Sequence, residues 1–439
     1  MKKTLIYMLF APLLLALGAC DNYLDIQPVG KVIPTTATEF RALLTEAYVS
    51  VPDDRGLASF RGDEMKLDVT NPMDIESYRD IWTWNDNAAS ENTSAFSWRA
   101  FYHTLFIANY VIESEHSITG GTPEEIRQMV GEAYMLRAYM HFILCNLYAE
   151  PYTKCDPAVT KAVPLKLDSD VETTLPRAML GDVYARILRD IDAAEDYLNV
   201  ANWETGYNYR FNTLSVDALR SRVYLYMGNW AESLAASSRV LGEKSELADV
   251  TSILPNAYNS PENIVALEQV MTTNYEKAML VSDNLYALYD RTDRRRSQYY
   301  KNDAVITIRK GGSNEFTCSF RVGEMYLNAA EAAWNQQDYD SAADYLLTLQ
   351  KARFTEAGYA RKETAVRDMT PGELIEEIYV ERARELAFEG HRWFDLRRTT
   401  QPRIEKTFRG VTYVLEQGDS RYTIPIPADA IEANPSLAN

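Results

Sequence analysis

Glu381, Glu385 and Glu389 stand at i, i+4 and i+8 in an arginine-rich run, so a continuous helix would align three carboxylates on one face. Carboxylate pairs do general acid–base work, but cleaving a glycosidic bond needs one group on each side of it. A single stripe does not supply that. Like charges at this spacing destabilise a helix by roughly 0.2–0.5 kcal/mol per pair. The stripe therefore calls for cations, and Arg382, Arg384, Arg392, Arg397 and the distant Arg137 are available. A structural ion-pair network is the expected role. His103, His116, His141 and His391 are scattered without metal-ligand spacing. The chain has neither a glycine-rich phosphate loop nor a G-x-S-x-G turn. No catalytic residue, metal or cofactor is expected.

Recognition chemistry is better represented. Tyr78, Trp82 and Trp84 lie in the polar stretch Tyr78-Arg79-Asp80-Ile81-Trp82-Thr83-Trp84-Asn85-Asp86-Asn87. If the stretch is extended, Trp82 and Trp84 share a face. They would then offer a platform to the C–H faces of a pyranose, while Asn85, Asp86 and Asn87 meet its hydroxyls. The alternative is that both indoles cap a helical core. A second candidate stretch, Arg291–Tyr300, contributes Arg296, Tyr299 and Tyr300. Its exposed Arg294–Arg296 run would hold a carboxylate or sulfate by charge-assisted hydrogen bonds, or else pair with local acids. Trp203, in the Asn202–Tyr209 loop, is a lesser ligand candidate.

A helical scaffold must position these loops. In Gly181–Leu198 the residues Val183, Tyr184, Ile187, Ile191, Ala194 and Leu198 fall on one helical face. Val216, Leu219, Val223 and Tyr226 repeat the pattern up to Gly228-Asn229-Trp230, and Leu234 with Leu241 continue a returning helix. The unit recurs at Met325, Tyr326, Ala329 and Ala333, turns at Gln337-Asp338-Tyr339, and returns through Ala342, Leu346 and Leu349. Such tetratricopeptide-like pairs bury their apolar faces only by stacking. Another long helix is expected over Met129–Leu147. Irregular stretches, Ser50–Ser97 and Gly242–Ser319, intervene, the latter with a β-like Val305–Ile308 run. The fold class is all-α dominated, with tetratricopeptide-like helix pairs, long irregular loops and minor β.

The 439 residues carry a net charge of −18, with 46% hydrophobic and 25% charged residues, a packed globular balance. The acidity argues against nucleic acid, which is bound by neutralising phosphates. Tyr, at 29, outnumbers Phe at 14 and Trp at 7, a surplus that suits helix packing and sugar contact alike. Lys2 and Lys3 precede an apolar run over Leu5–Leu17, of signal-peptide length and shorter than the roughly 20 residues of a membrane span. Leu17-Gly18-Ala19-Cys20 resembles a lipobox, which would remove residues 1–19 as a signal peptide and lipidate Cys20. Cys145, Cys155 and Cys318 then remain. Three excludes a full disulfide framework, so free thiols are expected, with a Cys145–Cys155 bridge as the alternative. One domain over 20–439 is expected, in a helical-repeat half (20–241) and a loop-rich half (242–439).

The lipobox followed by Leu24-Asp25-Ile26-Gln27-Pro28 resembles the start of SusD/RagB-type proteins, the starch-utilisation-like lipoproteins of Bacteroidota. Trp98-Arg99-Ala100-Phe101-Tyr102 with Asn109, Glu132-Ala133, Leu136-Arg137-Ala138 and Arg177 are similar to successive family blocks. So are Tyr224–Trp230, Arg321–Leu327 and, most specifically, the block running from Glu381 to Arg398, completed by Pro425-Ile426-Pro427 and Asn434-Pro435. Ala149-Glu150-Pro151 departs from the family's Gly before Pro, and the chain lacks its usual Gln-Asn end. The resemblance implies an outer-membrane, cell-surface lipoprotein that binds a glycan or other nutrient. It also implies delivery to a SusC-like TonB-dependent transporter, over which the lipoprotein acts as a lid. Four tetratricopeptide-like pairs would support a loop-rich ligand-binding half. Under this resemblance Tyr299 and Tyr300 fall where ligand contacts are often placed, and Trp98 falls at a packing position. An anchored scaffold binding only protein, and a surface glycan hydrolase, are the alternatives.

Overall fold

The structure, a computed structural model, describes residues 33–438; the signal peptide, lipobox and Cys20 lie outside the described residues. Its scaffold helices are α1 (Ala37–Val49), α2 (Pro72–Trp82), α3 (Trp98–Glu113), α4 (Pro123–Tyr148), α5 (Leu180–Tyr197) and α6 (Thr213–Met227). They continue with α7 (Trp230–Glu243), α8 (Val322–Asn335), α9 (Tyr339–Arg353), α10 (Glu356–Arg367), α11 (Pro371–Glu385) and α12 (Arg392–Arg398).

Local chemistry sets several of these boundaries. Thr36, Thr122 and Thr370 cap α1, α4 and α11, and Glu39, Glu125 and Glu373 return the bond to each cap backbone. These reciprocal bonds satisfy amides that the first helical turn leaves unpaired. At the end of α6, Gly228 takes φ 71°, a left-handed cap natural to glycine. The matching turn between α8 and α9 places Gln337 at φ 64°.

Helices α3 to α9 pack in chain order, each against the next, with α1 against α3 and α11 against α8. Helix α8 packs directly on α7, so the excursion over residues 244–321 leaves the stack and rejoins it. The helical signals at 181–198, 216–241, 325–349 and 129–147 all correspond to observed helices. Tyr184, Tyr226 and Tyr326 are buried in the stack. A second core beneath the loops gathers Phe60, Tyr78, Trp82, Tyr275, Tyr289, Tyr299, Tyr300, Phe388 and Phe408.

Among the described residues the strands form two-stranded antiparallel pairs: Met65–Leu67 with Met279–Val281, Asn263–Val265 with Phe320–Arg321, Tyr300–Asn302 with Ile306–Ile308, and Ile404–Phe408 with Val411–Leu415. The last is a tight hairpin turning through Arg409 (φ 49°) and Gly410 (φ 81°). Cys145, Cys155 and Cys318 are free thiols.

Candidate functional site

The carboxylate stripe is interior structure. Helix α11 ends at Glu385, so Glu389 lies beyond it, past Phe388 at φ 59°. All three glutamates are buried. Glu381 accepts from Arg295 (2.5 Å) and Arg384 (2.6 Å), and Glu385 from Arg295 (2.7 Å), Arg321 (2.7 Å) and Arg353 (2.8 Å). Glu389 accepts from Lys310 (2.6 Å) and Arg321 (2.7 Å). Arg295 and Arg384 hold Glu381 down at about 2 against the opposing effect of burial. Of the cations named from sequence only Arg384 joins this network. Arg382 pairs with Asp395, Arg392 with Asp63 and Arg137 with Asp190, while Arg397 donates to backbone carbonyls.

The aromatic platform expected at Tyr78, Trp82 and Trp84 is not open to ligand. The stretch is helical through Trp82, and Trp84 follows a one-residue turn at φ 57°. The two indoles do converge, but on the chain's own Lys406, whose Nζ lies 4.9 Å from the Trp82 ring centre and 4.2 Å from that of Trp84. Lys406 also donates to the carbonyls of Phe60, Arg61 and Trp82 at 2.9, 3.1 and 3.0 Å. Burial, with Arg61 nearby, pushes its ammonium well below the ordinary lysine range. Each indole N–H donates inward, to Met65 and Arg61 carbonyls. Tyr78 is buried against Phe60, with ring centres 4.7 Å apart. A signal for this arrangement was present: Ile404-Glu405-Lys406-Thr407-Phe408 alternates, and its inward set includes Lys406.

Nor do Arg296, Tyr299 and Tyr300 form an exposed anion site. Tyr299 and Tyr300 are buried, the latter bonded to the Tyr289 hydroxyl at 2.8 Å. Arg296 lies over the Tyr286 ring at 4.6 Å and donates to the Tyr289 carbonyl at 2.7 Å. Arg295, from the same run, is consumed by the interior network. Long-range burial removed these candidates; nothing in the local pattern distinguishes an exposed arginine run from a buried one.

The polar tail of the first stretch does meet a cleft. Asn85, Asp86 and Asn87, beside the edge of Trp84, face Ser420, Arg421, Thr423 and Pro425 across about 380 Å³. Asp86 is held by Arg61 at 2.6 and 2.9 Å, and Arg61 also donates to the Arg421 carbonyl, tying both walls together. Asn85 is braced on Asp80 and Ala88, while Asn87 is exposed. Arg421 grips Asp419 through two nitrogens at 2.6 and 3.0 Å. Ser420 and Thr423 also line a neighbouring basin of about 640 Å³, so the two spaces adjoin. Sequence reasoning missed Ser420, Arg421 and Thr423, ordinary polar loop residues that acquire a role only through the fold. Trp203 lines a separate cleft of about 540 Å³, and Arg210 packs over it and over Tyr207. Among the described residues, no cluster of His, Cys, Asp or Glu is placed to hold a metal, and no helix is long and apolar enough to cross a membrane.

A stacked helical-repeat body carrying loop-built polar clefts defines a class of binding proteins, and comparison with known proteins places the chain within it. The model described as "SusD family" matches residues 219–439, and one described as "Starch-binding associating with outer membrane" matches 22–225. The chain belongs to the SusD family. It is 26% identical over 239 residues to SusD-like protein P38 of Formosa agariphila, a match covering 53% of this chain and 44% of that relative's length. A SusD superfamily protein from Bacteroides fragilis superimposes with TM-score 0.78 at 22% identity, covering 92% of this chain and 99% of the other. A laminarin-binding SusD-like protein superimposes with TM-score 0.62 at 18% identity, covering 83% and 92%.

Proposed function

We propose that the protein captures a glycan at the cell surface, without cleaving it, and delivers it to a SusC-like TonB-dependent transporter. In this reading Cys20 carries the lipid anchor, and the body over 20–439 faces the exterior as one functional domain. The observation that carries the reading is the cleft between Asn85–Asn87 and Ser420–Thr423. It presents amide, hydroxyl and guanidinium groups that can donate to and accept from sugar hydroxyls. Family membership and the laminarin-binding structural relative support a glycan as the ligand class.

Native affinity electrophoresis against immobilised glycans tests it. Asn87→Ala removes one hydrogen-bonding group from an exposed position, so the bound polymer is expected to be retained about 2- to 10-fold more weakly. Unchanged retention at an unchanged melting temperature removes this cleft from the reading. Release of new reducing ends would overturn the non-catalytic assignment. Co-purification of a TonB-dependent barrel with the anchored chain tests the delivery step.

A further inference from the structure

Beside the proposed sugar cleft lies the larger basin, which shares Ser420 and Thr423 with it. Its charge runs against that of the molecule. Lys154, Lys161 and Arg177 all line it, and none is ion-paired among the described residues. Elsewhere in this acidic chain most arginines are matched to carboxylates, often in buried pairs. Two acids also line the basin. Asp419 is already neutralised by Arg421, whose guanidinium holds its carboxyl down at about 2. Among the described residues, Glu150 is then the one acid lining the basin without an ion pair, against three cations.

Arg177 is placed by the fold. Its Nε donates to the Ala162 carbonyl and one terminal nitrogen to the Lys161 carbonyl, both at 2.8 Å. This fixes the plane of the guanidinium beside the cavity. With no ion pair among the described residues, burial pushes Arg177 below its ordinary value. A planar guanidinium held in place and flanked by two lysines suits a carboxylate or sulfate oxygen pair.

We infer that the basin is an anion subsite, and that the captured glycan carries acidic groups, uronate carboxylates or sulfate esters, spaced to reach Lys154, Lys161 and Arg177 while neighbouring sugars occupy the Asn87 cleft. The inference rests on the glycan reading and specifies its ligand class.

The full mature chain is run on affinity gels containing polygalacturonate, dextran sulfate or neutral laminarin, at about 150 mM salt so that weak exposed attraction is screened. Retention is expected by at least one acidic polymer, and which one is retained separates carboxylate from sulfate recognition. Lys154→Ala/Lys161→Ala is expected to weaken that retention at least tenfold, and Lys154→Arg/Lys161→Arg to preserve it. Undiminished retention of the acidic polymer by the double alanine variant overturns the subsite. Retention of laminarin alone by the wild type also overturns it while leaving glycan capture standing. Retention of none of the three polymers overturns the subsite and counts against glycan capture as well.

Discussion

Glu64 is 1% exposed and accepts a bond from the Phe388 amide at 2.9 Å, while its second carboxyl oxygen has no partner among the described residues. Burial pushes the group up to about 8, so the native state keeps a proton that the unfolded chain releases above its ordinary value of 4.5. Stability is therefore lost as pH rises from about 4.5 through 8. Glu64→Gln keeps the shape without the titration. Urea melts at pH 5 and pH 9 are expected to show the variant gaining up to about 4 kcal/mol on the wild type across that range. A constant difference would mean that Glu64 ionises as readily as in water. Lys406 is the converse case, a buried amine held by three carbonyls and packed on two indoles. Lys406→Met orphans those carbonyls and is expected to cost about 2–4 kcal/mol, with a change in tryptophan fluorescence reporting the altered cage.

At the scale of elements, helical periodicity was a sufficient guide wherever an amphipathic face met a neighbouring helix, as in α5, α6 and α8. It also reached the turn at Gly228, whose φ of 71° suits glycine and whose added Cβ would meet Thr153 Cγ2 at 3.1 Å. Gly228→Ala is expected to lower stability by about 1 kcal/mol, read as a shift in urea midpoint with unchanged slope. The stretch before Asn85 shows the opposite outcome. Ile75, Tyr78, Ile81 and Trp82 have helical spacing and are all buried in α2. The polar residues around them invite an extended, ligand-facing reading instead. An Asn- and Asp-rich stretch is compatible with both until the partner surface is known.

At the scale of the whole molecule, Glu385 joins arginines from three separate places, Arg295, Arg321 and Arg353, and Arg321 and Arg353 also bind Glu262. Removing one member of such a network strands buried charge. Glu385→Gln is expected to cost about 3–5 kcal/mol at pH 7. Because the arginines hold Glu385 well below its ordinary range, its contribution is present above about 4.5 and lost as pH falls below that value. The gap between variant and wild type should therefore narrow in acid, and a gap that widened there would refute the ion-pair account. The sequence by itself determined the helical class, the repeated helix–turn–helix units, the family and the structural purpose of the carboxylate stripe, because periodicity and motif order are properties of the chain. Tertiary structure alone decided which cations meet those carboxylates and that Lys406 fills the Trp82/Trp84 platform. It also decided that Ser420 and Thr423 face Asn85–Asn87 and that Lys154, Lys161 and Arg177 share a basin. Exposure and pairing depend on which distant segment arrives opposite a residue, and the packing of the stack and loops sets that.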